Sequence, residues 1–175
     1  MVSQTTKTIQ TGEFSAESLQ EVKLLKCFTQ DELRQLIRCG EILEAETNCN
    51  IVIEGELSWG LYVIVEGTVG VLKANKMSGE VYEVCHLGRN SHFGEMSLVD
   101  DQPRSATVRA LIPTTLFHID KVAFQDFLNS KTDMKIRFLD NCVQDLVHRL
   151  REVDENYVVS QYQLWKSAMQ DRRAA

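Results

Sequence analysis

Between residues 41 and 120 the apolar side chains of this sequence stop following a helical spacing and fall into short alternating runs, each closed by Gly, Asn, Ser or Pro. The runs cover residues 42–43, 51–53, 61–65, 69–72, 81–84, 106–110 and 116–119. Strands this short and this closely spaced bury their apolar faces by closing on one another, which predicts an antiparallel barrel or jelly roll. Gly55, Gly60, Gly67 and Gly70 fall where such strands need corners.

Helical patterns flank the strands. Ser15 or Ser18 is placed to cap a helix carrying Leu19, Val22 and Leu25, and Thr29-Gln30-Asp31-Glu32 reads as a capping box ahead of Leu33, Leu36 and Ile37. After Asp120, Val122, Phe124 and Phe127 mark a short helix ending near Asn129 and Ser130. No proline or glycine then interrupts the chain from about residue 132 to about residue 170. Leu139, Val143, Leu146, Leu150, Val153, Tyr157 and Leu164 step by alternating fours and threes there, with Ser160 interrupting, so the helix carries a heptad seam. That seam predicts a parallel homodimer; the alternative is that its first half packs on the helix's own barrel. The expected class is α+β, an antiparallel β jelly roll with N-terminal helices and a long C-terminal helix. Residues 1–14 read as a flexible arm, 15–130 as the roll with its flanking helices, and 131–175 as the long helix.

The charge balance narrows the function. A net charge of −6 over 175 residues gives no basic face for nucleic acid. No run approaches the length of a membrane span and the N-terminus lacks a signal-peptide core, so a cytoplasmic protein is expected, with no membrane partner. Cys27, Cys39, Cys49, Cys85 and Cys142 are scattered and form no Cys-x-x-Cys pair, and the histidines, His86 beside Cys85 included, fall at no zinc-ligand spacing. No nucleophile–base arrangement or phosphate-binding Walker loop is recognisable, and Asp100-Asp101 reads as a solvated turn. Neither a metal nor catalysis is expected. Trp59 and Tyr62 are isolated aromatics, and Tyr62 reads as core.

The chemistry concentrates in residues 93–109, Phe-Gly-Glu-Met-Ser-Leu-Val-Asp-Asp-Gln-Pro-Arg-Ser-Ala-Thr-Val-Arg. Gly94 lets backbone approach a ligand closely, and the amides of Glu95, Met96 and Ser97 open a short helix whose positive end favours an anion. Nine residues past Glu95, Arg104 brings a planar fork of donors suited to two phosphate oxygens, and Ser105 adds a hydroxyl.

This run resembles the phosphate-binding cassette of the cyclic nucleotide-binding domain family, whose pattern is Phe-Gly-Glu, a few small or aliphatic residues, a turn, then Pro-Arg-Ser/Thr/Ala-Ala-Thr-Val. The resemblance continues through Ile53-Glu54-Gly55-Glu56 and from Leu61 into Val71, and spans roughly residues 20–155. Gly60 departs from it, since many members carry a polar residue there. The resemblance implies that Glu95 accepts from a ribose 2′-hydroxyl and that Arg104 pairs with the exocyclic oxygens of a 3′,5′-cyclic phosphate. It also implies that Phe93, Val71 and Val84 line the place of ribose and base, and that serine at position 105 favours cAMP over cGMP. By the same resemblance residues 131–175 act as lid and dimerisation helix, with Asp154 and Asn156 as candidates to cap the base. The implied function is a cAMP-binding regulatory module that turns ligand binding into movement of its C-terminal helix through a hinge near residues 121–129. The alternative is a dimerising scaffold whose pocket is vestigial or takes another ligand such as a cyclic dinucleotide.

Overall fold

The computed structural model describes residues 14–57, 60–99 and 102–174. The expected arm therefore lies outside the described residues except for Phe14, whose ring stacks on Phe117 at 5.2 Å. Trp59, Asp100 and Asp101 also lie outside them. The chain divides after Phe138 into two units.

The first unit opens with α1 (Ala16–Gln20), a 3-10 turn (Lys23–Leu25) and α2 (Gln30–Arg38). Ser15 caps α1 by accepting from the Ser18 amide. The capping box on α2 forms as its sequence predicts: Thr29 Oγ1 accepts from the Glu32 amide at 3.3 Å, and Glu32 Oε2 accepts from the Thr29 amide at 2.8 Å.

Eight strands follow: β1 (Glu41–Ala45), β2 (Asn50–Val52), β3 (Gly60–Glu66), β4 (Thr68–Ala74), β5 (Val81–Gly88), β6 (His92–Phe93), β7 (Thr107–Ala110) and β8 (Thr114–Asp120). They build two antiparallel four-stranded sheets in the orders β1-β8-β3-β6 and β2-β7-β4-β5. This is the jelly-roll arrangement expected of the alternating runs. The strand missing from that reading is β6, because two residues are too few to show an alternation. Ile64, Phe93 and Leu116 of one sheet pack with Val52, Val69 and Val108 of the other in the core between them. Each such side chain, once fully buried, contributes about 1.5–3 kcal/mol.

The β8 strand ends at Asp120, whose carboxylate accepts from the Val122 amide at 2.8 Å and starts α4 (Lys121–Asn129). The first seven residues of α5 (Thr132–Ala174) belong to the same unit. Phe28 stacks on Phe138 at 5.9 Å and meets Phe127 edge-on at 5.4 Å, while Phe124 meets Phe138 edge-on at 5.1 Å. One aromatic cluster thus joins the N-terminal helices, α4 and the start of α5. A half-buried ion pair fastens the same junction: Arg137 donates to Glu32 Oε1 at 2.8 Å, to Asp133 at 3.4 Å and to the Cys27 carbonyl.

The second unit is the remainder of α5. Arg149 donates to Asp145 at 2.9 Å one turn away. Of the heptad seam, Leu139, Val143, Leu146, Leu150, Val153 and Tyr157 are all exposed, between 44% and 63%. Among the described residues no helix is long and apolar enough to cross a membrane.

Glu32 gives the fold an acid-sensitive joint. Burial alone raises its pKa, but the Thr29 amide and the Arg137 guanidinium outweigh burial and hold the carboxyl below its ordinary value. Its stabilising contribution is therefore complete above the unfolded pKa of about 4.3 and is lost as pH falls through the lower folded value. Glu32→Gln is expected to cost about 1.5–3 kcal/mol at neutral pH, the range for hydrogen bonds to charged groups. In urea unfolding the gap between the variant and the unmutated chain should narrow on acidification; a gap that stays constant from neutral pH to about pH 3 would contradict the assignment.

Candidate functional site

Short β6 sets the site by its register. It pairs with β3 so that Phe93 lies opposite Tyr62 and His92 opposite Val63. The rings of Tyr62 and Phe93 stack in parallel at 4.9 Å, and His118 of β8 packs on Tyr62 at 4.5 Å. Directly after Phe93 the chain turns through Gly94, with φ at +87°, into α3 (Met96–Val99). A Cβ on Gly94 would lie 2.5 Å from the Gly60 carbonyl oxygen and 2.6 Å from Arg104 Nη1, so both the backbone angle and the close approach demand glycine.

Arg104 reaches this turn from the other side. Its backbone is held by the 54–56 segment, with its amide donating to the Glu56 carbonyl at 3.0 Å and its carbonyl accepting from the Gly55 amide at 2.9 Å. One residue on, the Ser105 carbonyl accepts from Lys73, which also pairs with Glu54 at 2.7 Å. With its main chain fixed, the side chain enters the interior and is only 7% exposed. Nη1 donates to Ser97 Oγ at 3.3 Å and to the Gly94 carbonyl at 3.5 Å, and Nη2 donates to the Gly60 carbonyl at 3.3 Å. The guanidinium carbon stands 5.5 Å from the centre of the Tyr62 ring.

Burial pushes the Arg104 pKa down, and Tyr62 and Glu95 oppose that shift. The guanidinium nevertheless stays charged, because its ordinary value lies so far above neutrality. Glu95 is itself only 6% exposed. A buried cation and a buried carboxylate therefore share one neighbourhood. The three bonds from the guanidinium to Gly60, Gly94 and Ser97 are all longer than the usual N–H···O range and end on uncharged oxygens. An anionic oxygen would be a stronger partner than any of them.

The residues expected from sequence are distributed as follows. Gly94, Ser97 and Arg104 are linked by direct hydrogen bonds, Phe93 joins them through the Tyr62 ring that both it and Arg104 meet, and Glu95 adjoins Arg104 electrostatically. Met96 is 51% exposed, and its sulfur lies 4.0 Å from the hydroxyl of exposed Ser105. Half-buried Val71 of β4 packs against the same core cluster as Phe93. Val84 falls at the register shift between β4 and β5, passed over between the pairs Val71↔Cys85 and Leu72↔Glu83, and is 64% exposed. Asp154 and Asn156 are exposed on the second unit.

Two members of the site are absent from the sequence-based set. Gly60 reads as architectural, yet its carbonyl receives Arg104 and its amide donates to Ser97 Oγ at 3.4 Å. Its departure from the family pattern has a steric cause here, since a Cβ would lie 2.5 Å from His118 Nε2. Tyr62 is core as expected, at 6% exposure, but its ring also faces the guanidinium. Neither role shows in spacing along the chain, because both partners lie more than 30 residues away.

Comparison with known proteins gives a consistent picture. The family model described as the cyclic nucleotide-binding domain matches residues 42–131. The type II regulatory subunit of the cAMP-dependent protein kinase of Drosophila melanogaster is 32% identical over 132 residues, which take in 75% of this chain and 34% of that protein, so the chain spans about a third of its relative. Among solved structures, a cyclic nucleotide-binding domain from Methylobacillus flagellatus superposes with a TM-score of 0.69 at 26% identity, covering 78% of this chain and 80% of that one. The regulatory subunit of a cAMP-independent protein kinase A from Trypanosoma cruzi, bound to guanosine, superposes with a TM-score of 0.60 at 26% identity, covering 65% and 40%.

The close approach at Gly94 is open to test. Gly94→Ala places a side chain at positive φ against a carbonyl and a guanidinium, and is expected to cost roughly 1–3 kcal/mol in chemical denaturation. An unchanged midpoint would mean that the turn has room to spare.

Proposed function

As this chain belongs to the cyclic nucleotide-binding domain family, we propose that Arg104 and Glu95 hold a 3′,5′-cyclic nucleotide, cAMP in preference to cGMP, and that its binding moves the C-terminal helix. The observation that carries this reading is the buried guanidinium, charged and held by long bonds to uncharged oxygens beside a buried carboxylate. A cyclic phosphate offers anionic oxygens, and these take over donors now spent on the Gly60 and Gly94 carbonyls. Glu95 accepts from the ribose hydroxyl. Phe93, Val71 and Val84 face the sugar and base, the amides of Gly94, Glu95, Met96 and Ser97 add to the phosphate cradle, and serine at position 105 is compatible with adenine.

A ligand shifts an equilibrium only when it binds two arrangements unequally. The change in Arg104 partners provides that inequality, because the oxygens released belong to the start of β3 and to the turn before α3. Continuous packing offers a route onward, as α3 touches α4, and Phe124 and Phe127 of α4 belong to the aromatic cluster with Phe138 of α5. The long helix is the moving output and, through its exposed seam, a parallel homodimer contact. A phosphate-bearing ligand is favoured over a nucleoside such as the guanosine of the Trypanosoma cruzi relative, because anionic oxygens bond a guanidinium more strongly than the uncharged oxygens of a nucleoside.

Isothermal titration with cAMP, cGMP, cyclic di-GMP and guanosine tests the reading. cAMP should bind most tightly, and Arg104→Ala should weaken it by roughly 2–5 kcal/mol, the range for truncating one member of a buried charged pair. Equal affinity in that variant would remove the phosphate assignment, and preference for cyclic di-GMP would favour a scaffold with a different ligand. Separately, sedimentation equilibrium should show a dimer that the double substitution Leu146→Glu and Leu150→Glu converts to monomer. A chain that is monomeric before mutation would refute the helix contact.

A further inference from the structure

A buried hydroxyl offers one donor and two acceptor positions. In Ser97, which is 4% exposed, all three are engaged by the protein. Its Oγ donates to the Gly94 carbonyl at 2.8 Å and accepts from Arg104 Nη1 at 3.3 Å and from the Gly60 amide at 3.4 Å. The three partners come from three places in the chain: the turn before α3, the segment after it, and the first residue of β3. Nothing remains on this oxygen for a ligand, although the serine lies in the middle of the run that would cradle one.

From this saturation, and resting on the cyclic-nucleotide reading above, we infer that Ser97 is a positioning residue whose hydroxyl acts on the ligand only through Arg104. An arginine side chain has many rotamers, and one that must meet a phosphate with a fixed fork gains from having its plane set in advance. The guanidinium carbon stands 5.5 Å from the centre of the Tyr62 ring. The carbonyls of Gly60 and Gly94 draw it toward two ends, and the Ser97 oxygen lies bonded to Nη1 while itself held by both glycines. The serine thus ties the cation to the same backbone points that the cation touches directly. Removing the hydroxyl takes the 2.8 Å donor from the Gly94 carbonyl and an acceptor from both Nη1 and the Gly60 amide.

Two measurements on the full chain test this, comparing the unmutated protein with Ser97→Ala. Rotation of the Arg104 guanidinium, followed by nitrogen-15 NMR without ligand, should become faster, and affinity for cAMP should fall about tenfold, the equivalent of one modest hydrogen bond to a charged group. Unchanged rotation overturns the inference whatever the affinity does, because a loss of affinity alone would mean that the hydroxyl touches the ligand itself. Faster rotation with unchanged affinity overturns it too. Ser97→Cys, which keeps a side chain of similar shape but accepts weakly, serves as the second variant if the alanine form does not fold. If the unmutated chain fails to bind cAMP, the cyclic-nucleotide reading falls; if it binds but the guanidinium is indifferent to Ser97, only the positioning role falls.

Discussion

A guanidinium exposed by only 7% has to be matched by its surroundings, and the middle of the roll is organised around that requirement. Water solvates a cation far better than an apolar interior does, so a buried arginine persists only where oxygens and charge are brought to it. Here the oxygens come from Gly60, Gly94 and Ser97, the opposing charge from Glu95, and an aromatic face from Tyr62. These residues lie on β3, on the turn after β6 and on α3, while Arg104 itself precedes β7. The β3–β6 register is therefore more than a sheet detail. A slip of one residue would turn Phe93 away from Tyr62 and carry the Gly94 turn away from the arginine.

The same economy of partners operates at the helical junction. Glu32 spends one carboxylate oxygen on its own helix cap and the other on Arg137, so a local signal for starting α2 also fixes the start of α5. Around it Phe28, Phe124, Phe127 and Phe138 fill the space that a less bulky cluster would leave open. The N-terminal helices, α4 and the start of α5 are thus joined by aromatic packing and by an ion pair that responds to acid. A change in Arg104 partners has solid material through which to act on α4 and on the first turns of α5, which is the physical content of the proposed switch.

Much of this was legible from local chemistry. Thr29 and Glu32 announce a cap because their side chains bond backbone within three residues, and the alternating runs announce strands because the pleat has a period of two. The spacing of Glu95 and Arg104 exposed the candidate site for a similar reason, since one short segment of chain supplies both charges. Gly60, Tyr62 and β6 were harder. A two-residue strand carries no period, and a glycine whose carbonyl receives a cation 44 residues away looks like any glycine at a strand corner.

Taken alone, the order of residues determined the element types, the two-sided apolar pattern of the roll, the long uninterrupted helix and the pair of charges on which the functional reading rests, because each is a property of neighbours along the chain. Tertiary structure alone decided which oxygens hold Arg104, that the Tyr62 ring faces it, that Ser97 has no valence left for a ligand, and that Glu32 meets Arg137. The pairings through Gly60, Tyr62 and Arg137 join segments tens of residues apart, and all of these distances exist only once two sheets and their helices have closed around a common core.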